Sequence, residues 1–179
     1  MAKITVFKET NTLKVLSFLV SQPEKEFIGS DVQAGTHLSR SGVYFALQAL
    51  TRQGLLSSRR RAKMHLYSLR NDTAVVRQFK VMTTTVLLSN LVEQLKPVAR
   101  KIILFGSASR GEDISTSDID LFVLCKDTMA ARKIVESSKP PRKIQPVLLT
   151  AAEYSEVKEK DKVFVAEAER GICLWEETA

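Results

Sequence analysis

Cysteine is nearly absent from this 179-residue chain: Cys125 and Cys173 stand alone, with no CxxC and no histidine close by. A disulfide framework or a thiolate zinc site needs more than that, so both read as free buried thiols. Histidine is equally scarce. His37 and His65 read as structural or solvent-facing residues rather than metal ligands. Long apolar runs are missing too. No stretch approaches the roughly 18 residues of a membrane helix, and the opening MAKITVFKET lacks an apolar leader core. A cytoplasmic protein with no membrane partner is the expectation. With 7 glycines and 5 prolines, and with no repeat or low-complexity tract, collagen-like and linker-dominated chains are excluded as well.

What is present is unevenly placed. The net charge is +7, and all of it lies in the first 70 residues, which hold 11 Lys and Arg against 4 Asp and Glu; residues 71–179 hold 16 of each. A basic unit followed by a neutral one implies that the first part meets a polyanion.

In the basic part, Leu13, Leu16, Phe18 and Leu19 predict a short helix ending before Gln22-Pro23. Gly29 or Ser30 is placed to cap a second helix over 31–34, and residues 35–38 read as a turn. Ser39 caps a third helix, with Val43, Ala46, Leu47 and Leu50 at helical spacing and Gly54 closing it. Leu55–Ser58 and Met64–Leu69 then read as two short strands joined by a basic loop, Arg59-Arg60-Arg61-Ala62-Lys63. This order of elements, with the phrase Ala49-Leu50-Thr51-Arg52-Gln53-Gly54-Leu55-Leu56, resembles a winged helix-turn-helix DNA-binding domain over residues 11–69. The resemblance implies a domain at 1–70 with duplex DNA as its partner. Ser39, Arg40, Ser41 and Tyr44 would stand at the end of the helix that enters the major groove. Arg59, Arg60, Arg61 and Lys63 would lie on the wing, against phosphates or the minor groove.

Residues 71–96 carry a helical pattern unbroken by Gly or Pro, with Asn71 or Asp72 as cap and Pro97 as stop. Val75, Phe79, Met82, Val86, Leu87, Leu91 and Leu95 recur every three or four positions. A helix of about 25 residues spans roughly 37 Å. It reads as a connector over 71–98, and as a seam for a homodimer.

The densest chemistry lies between Ile102 and Leu124. Ile102-Ile103-Leu104-Phe105 predicts a buried strand that breaks at Gly106-Ser107; a polar loop follows, and Asp118-Ile119-Asp120 leads into a second strand. Residues two apart on a strand share a face, so Asp118 and Asp120 present two carboxylates side by side. Hard oxygen ligands of that kind suit magnesium together with phosphate oxygens. A Gly-Ser turn lets backbone N–H groups approach a phosphate. The spacing Gly106 to Gly111 mimics part of a P-loop, but Glu112-Asp113 stands where Lys-Ser/Thr is required, which excludes one.

Gly106-Ser107, Arg110-Gly111 and Ser117-Asp118-Ile119-Asp120-Leu121 resemble the signature of the polymerase-beta-type nucleotidyltransferases, especially the minimal members of that superfamily. The resemblance covers residues 100–175 and implies a domain at 99–179. In it Gly106, Ser107 and Arg110 would hold a nucleoside triphosphate, and Asp118 and Asp120 would be the magnesium ligands and catalytic pair. The family also places an Asp or Glu near the start of a third strand. Here that strand reads Lys143-Ile144-Gln145-Pro146-Val147-Leu148-Leu149, with Gln145 at the position. An amide adds no charge and cannot act as a base.

Around this motif, Asp127–Ser138 predicts a helix with Met129, Ile134 and Val135 inward, and Thr150 with Glu153 forms a capping box for another. A last helix over 163–170 stops at Gly171, and 172–175 reads as a short edge strand. The fold class is therefore α+β, with a winged helix-turn-helix, a long connecting helix and a nucleotidyltransferase-like mixed sheet. Two functions stay open. One is a DNA-binding, transcriptional type of regulator whose second domain binds magnesium and nucleotide with weak or absent transfer. The other is an active enzyme that moves a nucleoside monophosphate from a triphosphate to a hydroxyl, targeted by its first domain.

Overall fold

The computed structural model of the chain describes residues 10–178; the segment read above as lacking a leader core lies largely outside them. The apolar spacing of the first stretch is realised as α1 (Asn11–Val20), capped by Thr10 Oγ1, which accepts the Leu13 N–H at 3.2 Å. A two-residue strand, β1 (Glu26–Phe27), leads into α2 (Gly29–Thr36). The cap of α2 differs from expectation. Neither Gly29 nor Ser30 supplies it; Asp31 reaches back to accept the Ile28 N–H at 3.1 Å. α2 also runs through Gly35 and Thr36, and the left-handed residue that ends it is His37 (φ 55°).

Ser39 caps α3 (Arg40–Arg52) through the Gly42 N–H at 3.2 Å, as its sequence predicts. Strands β2 (Leu56–Arg61) and β3 (Met64–Leu69) then form a hairpin, and β1 pairs with β3, giving a sheet in the order β1-β3-β2. The expected basic loop is a correction. Arg59, Arg60 and Arg61 lie in β2, opposite Leu66, His65 and Met64, and the turn itself is Ala62-Lys63 with Ala62 at φ 54°. Val15, Leu19, Val32, Val43, Leu47 and Leu50 close the core of this half.

The long helix is α4 (Ala74–Leu95), and the chain divides into two compact units between Lys80 and Val81, inside it. Thr73 Oγ1, rather than Asn71 or Asp72, stands at its start, accepting the Val76 N–H at 3.4 Å. The inward stripe matches the expected one at Phe79, Leu91 and Leu95, which are buried, and departs from it at Val75 and Leu87, which are exposed while their neighbours Val76 and Leu88 are buried.

In the second unit β4 (Ala99–Phe105), β5 (Ile119–Cys125), β6 (Ile144–Leu149) and β7 (Ile172–Glu176) form one mixed sheet in the order β6-β5-β4-β7. Only β5 and β6 are parallel. Strand alternation sorts the core into two layers. On one face Ile102, Leu104, Ile119, Leu121 and Val123 cluster with Leu88, Leu91 and Leu95 of α4 and with Ala131 and Val135 of α6 (Thr128–Ser137). On the other, Ile103, Phe105 and Phe122 meet Tyr154 of α7 (Ala151–Lys160) and Phe164 and Ala168 of α8 (Lys162–Glu169). The Thr150–Glu153 capping box forms at the start of α7.

Two apolar assignments and one turn need correcting. Met129 is exposed on α6 because Ala131 and Val135 set the buried face. Cys173 is exposed on the edge strand β7, although Cys125 is buried, and both thiols are free. The Gly-Ser turn continues as a short helix, α5 (Gly106–Arg110), in place of a loop.

β6 is an edge, which explains its proline. Ile119 donates its N–H to Lys143 O at 2.9 Å, so the backbone groups of Lys143, Gln145 and Val147 face β5. Pro146 is out of phase with them, and its missing N–H falls on the outer side, where no ladder bond is lost.

Candidate functional site

The second unit gathers its polar residues where β4 and β5 meet α5. Gly106 sits at φ 68°, a conformation that side-chain-bearing residues adopt only at a cost. A Cβ there would also lie well inside van der Waals contact with Asp120 Oδ2, and 3.0 Å from its Cγ. The glycine is therefore required twice over: once by the backbone, and once because the Asp120 carboxylate lies against it.

Asp120 pairs in register with Phe105 on one side and Gln145 on the other. Gln145 thus shares the face of Asp120, on the exposed edge strand. Burial, foremost, holds the Asp120 carboxyl above the ordinary carboxylate range; the negative charges of Asp118 and Glu167 push the same way, and Arg110 opposes them. Two acids close enough to repel one another form a place that a cation would relieve. Asp118 is answered by Lys143, whose Nζ lies 2.7 Å from Asp118 Oδ2. Among the described residues no group of three or more His, Cys, Asp or Glu side chains is arranged to hold a metal. The pair Asp118–Asp120, partly neutralised by Lys143, fits a single divalent cation with other ligands from its phosphates.

Ser107 is half-buried and Arg110 exposed on α5. Arg110 Nε lies 2.9 Å from Glu112, and its Nη1 lies 3.8 Å from Glu167 of α8. Four residues around the pair escape sequence reasoning. Glu167 falls in the last helix and Lys143 at the start of the third strand, and neither has a role assigned from the sequence. Asp113, buried, is bound by Arg142 Nη1 at 2.5 Å, and Arg142 Nη2 donates to Ser117 O at 2.9 Å. That ion pair ties the loop before Asp118 to the start of β6. A signal exists for it: an Asp in a loop otherwise open to solvent, and an Arg after Pro140-Pro141.

In the first unit Ser39, Arg40, Ser41 and Tyr44 are all exposed at the start of α3, although the Ser39 hydroxyl is occupied as a cap. Tyr44 is joined by Phe45, which is 67% exposed and packs edge-on to it with ring centroids 5.5 Å apart. The stripe Val43, Ala46, Leu47, Leu50 leaves positions 44 and 45 facing out, and that phase is available in the sequence. Arg40, Tyr44 and Gln48 line one wall of an open groove of about 780 Å³, with Met64, His65 and Tyr67 of β3 on another. Of the basic residues on β2, Arg59 is engaged by Glu26 of β1 through two bonds, 2.8 and 2.5 Å. Among the described residues Arg60 bonds only to the Ala62 carbonyl, at 3.2 Å, and Arg61 and Lys63 are exposed.

Residues 87–178 match the family described as Polymerase beta, Nucleotidyltransferase. No curated protein matches the chain significantly. Solved structures similar to it include a candidate nucleotidyltransferase from Sulfolobus solfataricus, at 16% identity and TM-score 0.40, covering 56% of this chain and 87% of that one. Another is TrmBL2, an archaeal chromatin protein with a novel mode of DNA binding, at 11% identity and TM-score 0.32, covering 88% of this chain and 70% of that one.

Proposed function

The chain belongs to the polymerase-beta nucleotidyltransferase family, and from that premise we propose that its second unit binds a magnesium–nucleoside triphosphate complex with weak transfer activity, while its first unit is a winged helix-turn-helix that holds duplex DNA. The observation that carries the first half is the packing of Asp120 against Gly106, with Asp118 on the same face. Asp118 and Asp120 hold the cation, and Gly106, Ser107 and Arg110 meet the phosphates. Magnesium, when bound, supplies charge neutralisation for the triphosphate. Gln145, in register with Asp120, is the reason transfer is weak: it offers no charge and no base to accept the proton of an acceptor hydroxyl.

For the first unit, support comes from the +7 charge confined to residues 1–70 and from the exposed Arg40, Ser41 and Tyr44 on α3 with Arg60, Arg61 and Lys63 on the hairpin. A DNA-binding regulator that senses a nucleotide follows from the two halves together. Incubation with labelled nucleoside triphosphates and magnesium, scoring binding separately from transfer, tests it. Metal-dependent binding that Asp118→Asn abolishes, with little transfer, is the expected result.

One observation favours the active enzyme as a second reading: Glu167 adds a further negative charge felt at Asp120. An acceptor oxygen would then bond the α-phosphorus as the bond to pyrophosphate breaks. Turnover by the parent at about 1 per second or more would select that reading. Gln145→Asp and Gln145→Glu, which restore a carboxylate, are expected to raise magnesium affinity in at least one case.

A further inference from the structure

Beside the carboxylates, α5 and α8 enclose an open groove of about 540 Å³ lined by Ser109, Arg110, Lys162, Val163, Glu167 and Arg170, with Ala166 between the last turns. Its size lies within the usual range of small-molecule sites. Lys162, Ala166 and Arg170 follow one another at intervals of four, so they form one stripe along α8, with a basic residue at either end and their backbone positions about 12 Å apart along the axis. Arg110 enters from α5. It already faces Glu112 and Glu167. Lys162 and Arg170 have no ion pair with any described residue, so the groove carries more positive than negative charge. The start of α8 is not itself the anion site, because the Asp161 carboxylate accepts the Phe164 N–H there at 2.9 Å. Whatever charge the groove attracts, it attracts through side chains.

We propose that this groove binds the polyphosphate arm of the nucleotide, with Lys162 and Arg170 as its unassigned ligands. The inference rests on the reading of the second unit as a nucleotide-binding domain, and adds α8 to the residues that hold it. Lys162 and Arg170 lie on one stripe with Arg110 beside them, and three cations spread over two helices suit a chain of phosphates better than a single one. Arg110 is placed to link the two regions, since it faces Glu167 in the groove and its charge is felt at Asp120. Inorganic tripolyphosphate and a nucleoside triphosphate share the chemistry recognised here, and the two are separated by experiment.

The test is calorimetric titration of the full chain with inorganic tripolyphosphate in the absence of metal, where the carboxylate pair cannot contribute. The parent is expected to bind, and K162A/R170A to bind about tenfold more weakly or worse, the loss expected for charge-assisted hydrogen bonds. The same comparison repeated in an R60A/R61A background, which lowers anion binding by the basic first unit, is expected to show the same loss. Both α8 side chains are exposed, so K162A/R170A should unfold at the parent's midpoint, and K162R/R170K should retain binding. A parent that ignores tripolyphosphate, or a K162A/R170A variant that binds it as well as the parent does, overturns the proposal. A second arm titrates nucleoside triphosphate with magnesium into Asp118→Asn. If that variant binds as the parent does, the metal reading fails, whatever α8 does. If only nucleoside triphosphate is sensitive to K162A/R170A and tripolyphosphate is not, the groove recognises the nucleoside and the polyphosphate assignment is wrong.

Discussion

Replacing Gly106 by alanine puts two separate strains into one place. The first is conformational: at φ 68° an alanine loses about 1 kcal/mol relative to glycine. The second is steric, because the new methyl occupies space held by Asp120 Oδ2. Pushing that side chain off its rotamer adds about another 1 kcal/mol. The sum, about 2 kcal/mol, corresponds to roughly 4–8 °C in the unfolding midpoint for a chain of this size. The two parts can be separated. In an Asp120→Ala background the carboxylate is gone, so Gly106→Ala should lose only the conformational part. The double-mutant cycle is then expected to show a coupling of about 1 kcal/mol. Denaturant unfolding of the four proteins, followed by Trp175 fluorescence, reads both quantities. The single variant should also lose metal-dependent nucleotide binding, because Asp120 is displaced. The reasoning is refuted if Gly106→Ala unfolds with the parent, or if its loss is the same with and without Asp120.

Further outcomes are expected at three places. The Asp120 carboxyl is held above its unfolded value, so the folded chain binds the extra proton and stability falls as pH rises from the ordinary carboxylate range through the raised one; Asp120→Asn should be more stable than the parent at neutral pH and lose that advantage in acid, as thermal melts across pH would show. Arg142→Ala removes one partner of a buried ion pair and should lower stability by about 3 kcal/mol, with Asp113→Asn in the same chain recovering part of it in urea titrations. On the hairpin, R60A/R61A should flatten the salt dependence of DNA binding, by about 0.9 in slope for each phosphate no longer neutralised. Glu26→Gln releases Arg59 and should tighten binding; equal salt slopes for parent and R60A/R61A would remove β2 from the interface.

Helices with strong apolar periodicity are legible in the sequence, as are the strand–turn–strand around Gly106 and the acids at 118 and 120. The misses have physical causes. On α4 more than half of the residues are apolar, often two or three in a row, so composition does not fix the phase, and packing buries Val76 and Leu88 in place of Val75 and Leu87. The arginines at 59–61 resemble a loop because charge is read as exposure, yet β2 is an edge strand with residues 57–61 all exposed, so it carries charge on both faces. Asp31 takes the cap of α2 from Gly29 and Ser30 because a carboxylate one turn in can reach back. Lys143 and Glu167 acquire meaning only once β6 and α8 are set beside Asp118 and Asp120, a long-range placement that no local pattern encodes.

Pro146 matters for the behaviour of the molecule in a crowd. The four-stranded sheet is open, so β6 offers a row of backbone groups to any extended segment of another chain. Because its proline turns outward, that row lacks a donor at its centre, and a strand approaching edge-on cannot complete a continuous ladder. The residue thereby guards against templated aggregation without disturbing the inward bonds that keep Gln145 opposite Asp120.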